Sequence, residues 1–361
     1  MKSQDRSSSK RKTDRIKESI GQGLYEDKDL FPVIELPIDG FTNPKDYMKS
    51  KNYELTDKLI GKGSYGYVYL ANKLGPNDNK ETIACKVLKV LSPEKYGRFK
   101  SLSTELKTLE KLDNDYIIKT RNSFVFLFKQ RIETFIFMDY ATEGNLEDQL
   151  EKVGPFDDRL AKRYFGQIVI GIRYLHKNSI THRDLKLENI LLVKSPYNPG
   201  EKDCKITDFG TISVAFVEEK GYLTTSIYIG SRPYMAPEVL NAKLNRDSGK
   251  TEEIKFKLMP VDCWALGVIA YRLLTKEFPF DFSTPDKSEE SKMRIIKEVF
   301  NKQINRDWSF PQNIVIDERA QELIRRCLDP NPVHRLENYQ IIAHPWLEGE
   351  ASLSITQSQS I

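Results

Sequence analysis

The pattern of apolar residues changes near residue 145, and this change constrains the fold more than any other feature of the chain. Before it, short segments rich in β-branched and aromatic residues predict strands at 53–60, 66–72, 82–90, 116–127 and 132–139, with one helix at about 98–112. After it, helical periodicity dominates around short strands near 190–194 and 203–207. We therefore expect an α+β protein in which a small β-rich lobe precedes a larger helical lobe, with a ligand cleft between them.

The two ends of the chain differ in composition from this patterned region. Residues 1–20 carry seven Lys/Arg and three Asp/Glu, which accounts for the whole net charge of +4, and they are predicted to be disordered. The predicted organisation is an N-terminal extension, a folded domain with a small and a large lobe, and a polar tail, at 1–52, 53–347 (lobes at about 53–140 and 141–347) and 348–361.

Charge and hydropathy exclude several classes of protein. Because residues 21–361 are neutral overall, no basic face for nucleic acid is expected. The most apolar stretch, 263–274, is too short to span a membrane, and the N-terminus lacks the apolar core of a secretory signal. The four cysteines are far apart in sequence and fit reduced thiols. We expect a cytoplasmic protein, with Lys10-Arg11-Lys12 as a candidate nuclear address.

An apolar stretch within the extension, from Leu30 to Ile38, is interrupted by Pro32 and Pro37. A helix cannot run through these prolines, because each removes a backbone donor and clashes with the preceding turn. We expect this stretch to dock on the surface of the small lobe as an extended segment.

A glycine-rich segment begins where the first predicted strand ends, and reads Ile60-Gly61-Lys62-Gly63-Ser64-Tyr65-Gly66-Tyr67-Val68. A dinucleotide-binding turn of this type leads from a strand into a helix. Here a second predicted strand follows instead, and then the turn Gly75-Pro76-Asn77-Asp78. The segment therefore predicts a hairpin whose backbone can approach phosphates closely, and a simple flexible turn is the alternative.

The positions of Lys86 and Glu105 suggest that the two side chains form an ion pair. Ala84 and Lys86 share one face of the third predicted strand, so the ammonium can lie above an adenine-sized slot, although a surface lysine is the alternative. Glu105 lies on the apolar stripe of the predicted helix, between Leu102 and Leu109. A carboxylate on such a stripe needs a cation, and Lys86 can supply it.

Two polar segments carry candidate catalytic groups. The first, Thr181-His182-Arg183-Asp184-Leu185-Lys186-Leu187-Glu188-Asn189, follows a helix predicted at about 158–177. Within it, Asp184 can accept a hydroxyl proton, Lys186 can stabilise a transferring phosphoryl group and Asn189 can bind a metal. The second segment, Asp208-Phe209-Gly210, follows a short strand, and its carboxylate oxygens suit magnesium.

The order of these motifs resembles that of the eukaryotic protein kinases, serine/threonine branch, over about residues 53–347. Further matches lie in Gly230-Ser231-Arg232-Pro233-Tyr234, in Ala236-Pro237-Glu238, in the helix that contains Asp262, Trp264 and Gly267, and at Arg335. The motif HRDLKLEN and the motif HPWL near the C-terminal end of the domain are most similar to those of the calcium/calmodulin-dependent and testis-specific kinase groups.

The resemblance implies a two-lobed kinase fold that binds ATP and Mg²⁺ and phosphorylates Ser/Thr hydroxyls of proteins. By the family pattern Lys86 holds the α- and β-phosphates and pairs with Glu105, while Asp184 deprotonates the substrate hydroxyl. Lys186 supports the γ-phosphate, and Asn189 and Asp208 bind magnesium. The remaining implied ATP contacts are the glycine-rich segment from Ile60 to Val68, Ala84, Met138 as gatekeeper, the backbone of Asp139 and Ala141, Asn145 and Leu191.

The resemblance also implies several structural contacts. Glu238 is expected to pair with Arg335, and Asp262 to anchor the backbone of the catalytic loop. Ser231 is expected to contact Asp184 and Lys186. His182 is expected to pack against Phe209 as a structural residue.

Two departures from the family pattern concern substrate choice. Asn145 and Arg272 stand where many relatives that favour basic substrates have acidic residues, whereas Glu188 is kept. We therefore expect no strong selection for an upstream arginine.

The segment between Asp208 and Glu238 contains candidate sites of phosphorylation. An upstream kinase is a candidate partner, acting at Thr224, Thr225 or Ser226, and the segment 239–261 is longer than usual in the family. The alternative function is a pseudokinase, a scaffold that binds nucleotide without efficient transfer. Because Lys86, Glu105, Asp184, Asn189 and Asp208 are all present, an active enzyme is favoured.

Overall fold

The computed structural model describes residues 31–63, 66–88, 96–129, 131–210, 213–214, 216–217, 221–222, 224–225, 228–247, 254–284, 286 and 288–348. Contacts divide these residues into two units. The first runs to Asp113 and includes Ile118–Tyr140, and the second consists of Asn114–Ile117 and the residues from Ala141 onward. Ser64 and Tyr65 of the glycine-rich segment, Ser226, most of the basic N-terminus and most of the C-terminal tail lie outside the described residues.

The first unit is built on one six-stranded sheet in the order β1-β5-β6-β4-β3-β2. All pairings are antiparallel except that of β1 with β5. Its elements are β1 (Val33–Glu35), α1 (Pro44–Ser50), β2 (Tyr53–Lys62), β3 (Gly66–Leu74), β4 (Lys80–Leu88), α2 (Tyr96–Leu109), β5 (Thr120–Phe128) and β6 (Arg131–Asp139).

Two predicted boundaries in the first unit were wrong. The fourth predicted strand was placed at 116–127, but β5 begins only at Thr120. The preceding residues Asn114–Ile117 belong to the second unit, where the Tyr116 carbonyl accepts a hydrogen bond from the Ile206 amide at 2.8 Å. The helix predicted to reach residue 112 ends at Leu109. Both errors come from tertiary contacts and helix ends that local periodicity does not record.

An aromatic core lies on one face of this sheet. Tyr53, Phe124, Phe126 and Phe137 are buried there and contact one another in edge-on, stacked or tilted pairs, with ring centroids 4.7 to 6.1 Å apart. Aromatic residues at alternate strand positions bury one face while the other remains available for polar side chains. The leucines predicted as the apolar stripe of α2 are also buried: Leu102, Leu106 and Leu109.

The extension contributes structure that was only partly predicted. The stretch between Pro32 and Pro37 is extended, as expected, but it adds a parallel strand to the sheet rather than resting on its surface, with Val33 opposite Val125. The helix α1 was not predicted at all. Its signals were nevertheless present, because Asn43 caps the helix by accepting from the Asp46 amide and Pro44 occupies its first turn.

The second unit is mainly helical and surrounds α6, whose residues 261–275 are all buried. The helix α4 has the bounds predicted for it, and α6 packs against α4 and α8. The elements are α3 (Leu146–Val153), α4 (Asp158–Lys177), β7 (Ile180–Thr181), β8 (Ile190–Lys194), β9 (Lys202–Ile206), β10 (Ser213–Val214), β11 (Phe216–Val217), β12 (Gly221–Tyr222), β13 (Thr224–Thr225), α5 (Pro237–Asp247), β14 (Phe256–Lys257), α6 (Met259–Thr275), α7 (Glu289–Ile304), α8 (Glu318–Cys327) and α9 (Asn338–Ile342).

All four cysteines are buried free thiols: Cys85, Cys204, Cys263 and Cys327. Burial raises the pKa of each thiol, in the case of Cys263 to about 12. Across the described part of the chain, none of the helices is both long and apolar enough to pass through a membrane.

Gly66 and Gly63 of the glycine-rich segment give a matched test of backbone packing. A Cβ added at Gly66 would lie 2.1 Å from the Val87 carbonyl oxygen, whereas one at Gly63 would meet nothing within 4 Å. We therefore expect Gly66→Ala to lower the free energy of unfolding by about 1–3 kcal/mol. Gly63→Ala should change it by less than about 0.5 kcal/mol. Urea denaturation of both variants checks this, and equal losses would contradict the close approach of β3 to β4.

Candidate active site

Asp262 holds the loop that follows β7 in place from inside α6. Its side chain is 1% exposed, and its two oxygens accept hydrogen bonds from the backbone amides of His182 and Arg183, each at 2.9 Å. His176 on α4 contacts the same carboxylate at 2.9 Å. Burial alone would raise the pKa of Asp262, but the hydrogen bonds from His176 and the Arg183 amide outweigh it, and the pKa lies below its ordinary value. The expected anchoring of the catalytic loop is thus confirmed.

One carboxylate oxygen of Asp184 is left unused by hydrogen bonds among the described residues. Its Oδ2 accepts from Lys186 Nζ at 3.0 Å, and Lys186 Nζ also donates to Ser231 Oγ at 2.8 Å. Its Oδ1 is buried and has no hydrogen-bond partner among the described residues. A buried acceptor without a donor costs free energy, so this oxygen is able to accept from a donor that the described residues do not supply.

A small cavity of about 10 Å³ adjoins Asp184, and Gly230 and Ser231 also line it. Gly230 has φ of +122°, and a Cβ added there would lie 2.7 Å from the Arg183 carbonyl oxygen. Only glycine allows the two loops to approach this closely. The segment before α5 and the catalytic loop therefore meet beside Asp184.

A backbone hydrogen bond brings the segment that carries Asp208 next to Asn189 in the second unit. The Thr207 amide, one residue before Asp208, donates to the Asn189 carbonyl oxygen at 2.9 Å. Asn189 Nδ2 donates to the Asp184 carbonyl oxygen at 2.8 Å, which leaves its amide oxygen as an acceptor. Asp208 has φ of +64°, a left-handed backbone that is uncommon outside glycine and frequent at functional sites.

This donor set fits magnesium. An amide oxygen and a carboxylate are hard ligands, and magnesium at phosphate-transfer sites uses few protein ligands. Within the described residues, no group of three or more His, Cys, Asp or Glu side chains could hold a metal ion. The residues present therefore match a magnesium site completed by phosphates better than an all-protein metal cage.

His182 is structural, as expected. Its ring packs against Phe209 with centroids 5.6 Å apart, and its Nε2 contacts the Thr207 carbonyl oxygen at 3.0 Å. Phe209 is itself buried. These contacts tie the catalytic loop to the segment that carries Asp208.

The glycine-rich segment is a hairpin in the first unit. Strand β2 pairs with β3 up to Gly61 opposite Val68 and Lys62 opposite Tyr67, and the Gly63 amide donates to the Gly66 carbonyl at 2.9 Å. A strand rather than a helix follows the glycines. This excludes the dinucleotide-binding turn, which requires a helix at that point.

Strand β4 places its side chains as predicted. Cys85 is buried in the aromatic core, while Ala84 and Lys86, one residue to either side, lie on the opposite face. Ala84 pairs with Met138 and Lys86 with Ile136 of β6. Glu105 is half-buried on α2 of the same unit. The salt bridge between Lys86 and Glu105 stays a prediction.

The remaining predicted nucleotide contacts are divided between the units. In the first, Asp139 ends β6, its amide donates to the Lys119 carbonyl at 3.0 Å, and its carboxylate accepts from Arg121. In the second, Asn145 forms a backbone bridge with Leu191 and caps α3. Its Oδ1 accepts from the Asp148 amide and its Nδ2 donates to the Asp148 carboxylate, each at 2.8 Å. Both polar atoms of this side chain thus already serve the helix cap.

Glu238 and Arg335 form the predicted ion pair. The guanidinium donates two parallel hydrogen bonds to the carboxylate, at 2.7 and 2.9 Å, and a third to the Pro260 carbonyl at 2.8 Å. The exposed fractions of the two side chains are 10% for Glu238 and 0% for Arg335. The pair lies beside Trp264, whose ring is 5.1 Å from the guanidinium carbon. It fixes the start of α5 to α6.

The candidate phosphorylation segment pairs with the long segment that follows α5. Thr224 lies opposite Lys257 and Thr225 opposite Phe256 in the two-residue ladder of β13 and β14. Lys243 of α5 lies over the ring of Tyr228, 4.5 Å from its centroid. Local sequence patterns do not reveal this pairing, because the partners are about 30 residues apart and each strand has only two residues.

Arg272 has a role that sequence reasoning missed. It is 4% exposed, donates to Glu147 of α3 at 2.7 Å, and lies over the ring of Phe278, 4.0 Å from its centroid. Burial raises the pKa of Glu147, and Arg272 opposes this. The departure from the family pattern at Arg272 was visible, but its partner, 125 residues away in sequence, was not.

Comparison with known proteins agrees with this geometry. A family model described as protein kinase domain matches residues 54–347. The chain is 33% identical over 292 residues to serine/threonine-protein kinase H2 of Homo sapiens, covering 80% of this chain and 66% of that protein. It is 30% identical over 308 residues to Aurora kinase A-A of Xenopus laevis, covering 84% and 65%. It is 31% identical over 300 residues to serine/threonine-protein kinase H1 of Mus musculus, covering 82% and 61%.

The chain spans less than two thirds of the length of each of these relatives. The family match nevertheless covers most of the chain and includes the catalytic loop, the Asp208 segment and the Glu238–Arg335 pair. The chain therefore belongs to the protein kinase family.

Proposed function

We propose that the protein transfers the γ-phosphate of ATP to serine and threonine hydroxyls of protein substrates. The observation that carries this proposal is the unused oxygen of Asp184, which is buried beside Lys186 and lacks a donor among the described residues. A substrate hydroxyl is a donor of the right size, and its proton passes to this oxygen as the phosphoryl group is transferred.

The groups around Asp184 have distinct tasks in this proposal. Lys186 holds Asp184 Oδ2, so the carboxylate keeps its orientation, and its ammonium stabilises charge on the transferring group. Asn189 and Asp208 hold magnesium, which when bound neutralises charge on the phosphates. Asp262 acts through the backbone of His182 and Arg183 and is a positioning residue.

The first unit supplies nucleotide contacts. Lys86 binds the α- and β-phosphates with Glu105 as its counter-charge, and the hairpin from Ile60 to Val68 covers the phosphates with backbone groups. Ala84, Met138 and Asp139 of this unit contact the adenine. The apolar face formed by Ala84 supports this assignment, since Ala84 is 5% exposed and Cys85 points the other way.

The choice of serine and threonine rests on Lys186 and Ser231. Their side chains are joined by a hydrogen bond of 2.8 Å, and Lys186 also contacts Asp184. The lysine two residues after the catalytic aspartate is typical of kinases that modify aliphatic hydroxyls. The names of two similar proteins, serine/threonine-protein kinases H2 and H1, support the same assignment.

A direct test is transfer of labelled phosphate from ATP, with magnesium, to casein and to a degenerate peptide library that offers Ser, Thr and Tyr. We expect label on Ser and Thr. Label on Tyr alone would contradict the proposal. A thermal shift with nucleotide but no transfer to any peptide would favour the alternative, a nucleotide-binding scaffold.

We expect weak selection for an arginine upstream of the phosphorylated residue. Asn145 offers no carboxylate and Arg272 already neutralises Glu147, so of the positions considered only Glu188 is left to accept from a basic substrate side chain. Paired peptides that differ only by Arg or Gln at each upstream position should differ in kcat/KM by less than about threefold, which is within the range of one exposed charge pair. A dominant arginine preference in such a scan would overturn the expectation.

We propose an upstream kinase as a regulator, acting at Thr225 or Ser226. Thr224 is exposed and Thr225 partly buried in the ladder with β14. A phosphate adds about −1.5 to −2 charges and can order such a segment through nearby cations. Mass spectrometry of fully active protein checks this, and an unmodified segment would contradict phosphate-dependent activation.

A further inference from the structure

The segment 31–50 precedes the part of the chain that carries the family's features, yet it is built into the first unit. Strand β1 covers the edge of β5, and the Leu36 amide donates to the Leu127 carbonyl at 3.1 Å. Phe31, Leu36 and Met48 are all buried. A segment that closes a sheet edge and buries apolar side chains is part of the fold, because its removal would expose both.

One contact of this segment reaches α2. The backbone amide of Phe31 donates a hydrogen bond to Ser103 Oγ, 72 residues away in sequence. The exposed fractions are 6% for Phe31 and 0% for Ser103. Because water cannot replace a partner at such a site, loss of either side leaves a buried polar group unsatisfied.

Ser103 and Glu105 lie on opposite sides of the same helix. At 3.6 residues per turn, two positions are about 200° apart around the axis. The buried stripe of Leu102, Leu106 and Leu109 lies between them, with Ser103 on one flank and Glu105 on the other. A restraint on Ser103 therefore fixes the rotation of α2 about its axis, and with it the direction of Glu105.

We propose that the segment 31–50 is an internal positioning element of the kinase, which acts through the Phe31–Ser103 hydrogen bond on α2 and so on Glu105. The inference rests on the proposed function, in which Glu105 orients Lys86 on the phosphates of ATP. Ser103 is thus a positioning residue that touches neither ATP nor substrate. Loss of its contact impairs use of ATP and leaves binding of the protein substrate unchanged.

The test uses the full chain and removes the hydrogen bond from either side. Ser103→Ala deletes the acceptor. Phe31→Pro deletes the donor, and Phe31→Ala is its matched control because it loses the same ring but keeps the amide. Lys45→Ala, at an exposed ion pair of the same segment, controls for the segment as a whole. The measurements are kcat/KM for ATP, KM for the peptide, and hydrogen exchange of the amides in 96–109.

We expect Ser103→Ala to lower kcat/KM for ATP about three- to tenfold, the size of one lost hydrogen bond, with the peptide KM unchanged. Exchange in 96–109 should rise in Ser103→Ala and Phe31→Pro, more than in Phe31→Ala, and not in Lys45→Ala. Adding Ser103→Ala to Phe31→Pro should have no further effect, because both remove the same bond.

Failure of this inference is distinguishable from failure of the proposed function. If the unaltered chain transfers no phosphate, the proposed function fails, and hydrogen exchange still decides whether Ser103 holds α2. If the unaltered chain is active and Ser103→Ala changes neither exchange in 96–109 nor use of ATP, the positioning role is overturned. Equal effects of Phe31→Pro and Phe31→Ala would also overturn it, since the amide would then be irrelevant.

Discussion

Replacement of Asp184 by Asn should lower the rate constant of phosphate transfer by about 10²–10⁴-fold, the range contributed by general acid–base catalysis. Asn has the same shape, so the contact with Lys186 can be kept and the catalytic loop should remain folded. An amide oxygen, however, cannot take up the proton of the substrate hydroxyl. The rate is measured in single turnovers with saturating ATP and peptide, so that changes in binding do not contribute.

The matched control for this substitution is Asp307→Asn, at an exposed aspartate of the second unit. It removes the same charge from the same unit and should leave the rate within about twofold, as surface substitutions usually do. The thermal shift caused by ATP should be the same in Asp184→Asn as in the unaltered chain. A rate for Asp184→Asn within tenfold of that of the unaltered chain would mean that another group accepts the proton.

Replacement of Arg335 by Ala should lower the free energy of unfolding by about 3–5 kcal/mol, since it leaves the carboxylate of Glu238 buried without its cation. The loss is large because the guanidinium is fully buried and donates both to this carboxylate and to the Pro260 carbonyl. A domain is stable by only about 5–15 kcal/mol, so a loss of this size removes a large share of the free energy of unfolding. Urea unfolding monitored by tryptophan fluorescence gives the value.

A surface pair provides the control for this measurement. Arg326 and Glu322 are one helical turn apart on α8, with exposed fractions of 50% and 49%. Arg326→Ala should cost about 0.5 kcal/mol or less. The double variant Arg335→Met/Glu238→Leu should recover part of the loss, because no buried charge is then left unpaired. If Arg335→Ala and Arg326→Ala cost the same, the buried pair does not hold α5 to α6.

Sequence predicted the parts of the fold that local patterns encode. The glycine hairpin, the alternation of Ala84, Cys85 and Lys86, and the bounds of α4 all follow from periodicity and turn residues within a few positions. The helix α1 could also have been found, because an asparagine followed by proline is a helix start signal. The parallel pairing of β1 with β5 could not, since its partners are about 90 residues apart and nothing local sets their register.

In the candidate site, too, local motifs could be predicted and contacts between distant residues could not. Asp184, Lys186, Asn189 and Asp208 could be named from the sequence because each motif occurs in a fixed order, and their catalytic roles stay predictions. The orientation of Asp184, with one oxygen held and the other unused, depends on Lys186 and Ser231 meeting in space, 45 residues apart. The neutralisation of Glu147 by Arg272 likewise depends on two side chains that meet in space although they are 125 residues apart.

Alkylation of the buried thiols can report local opening of the native structure. Because burial keeps each cysteine protonated and covered in the native state, an alkylating reagent in neutral buffer reacts only after the surrounding structure opens. Cys85 lies in the first unit, and the other three lie in the second. Mapping which cysteine is labelled first therefore tells which unit unfolds first, without introducing any probe into the chain.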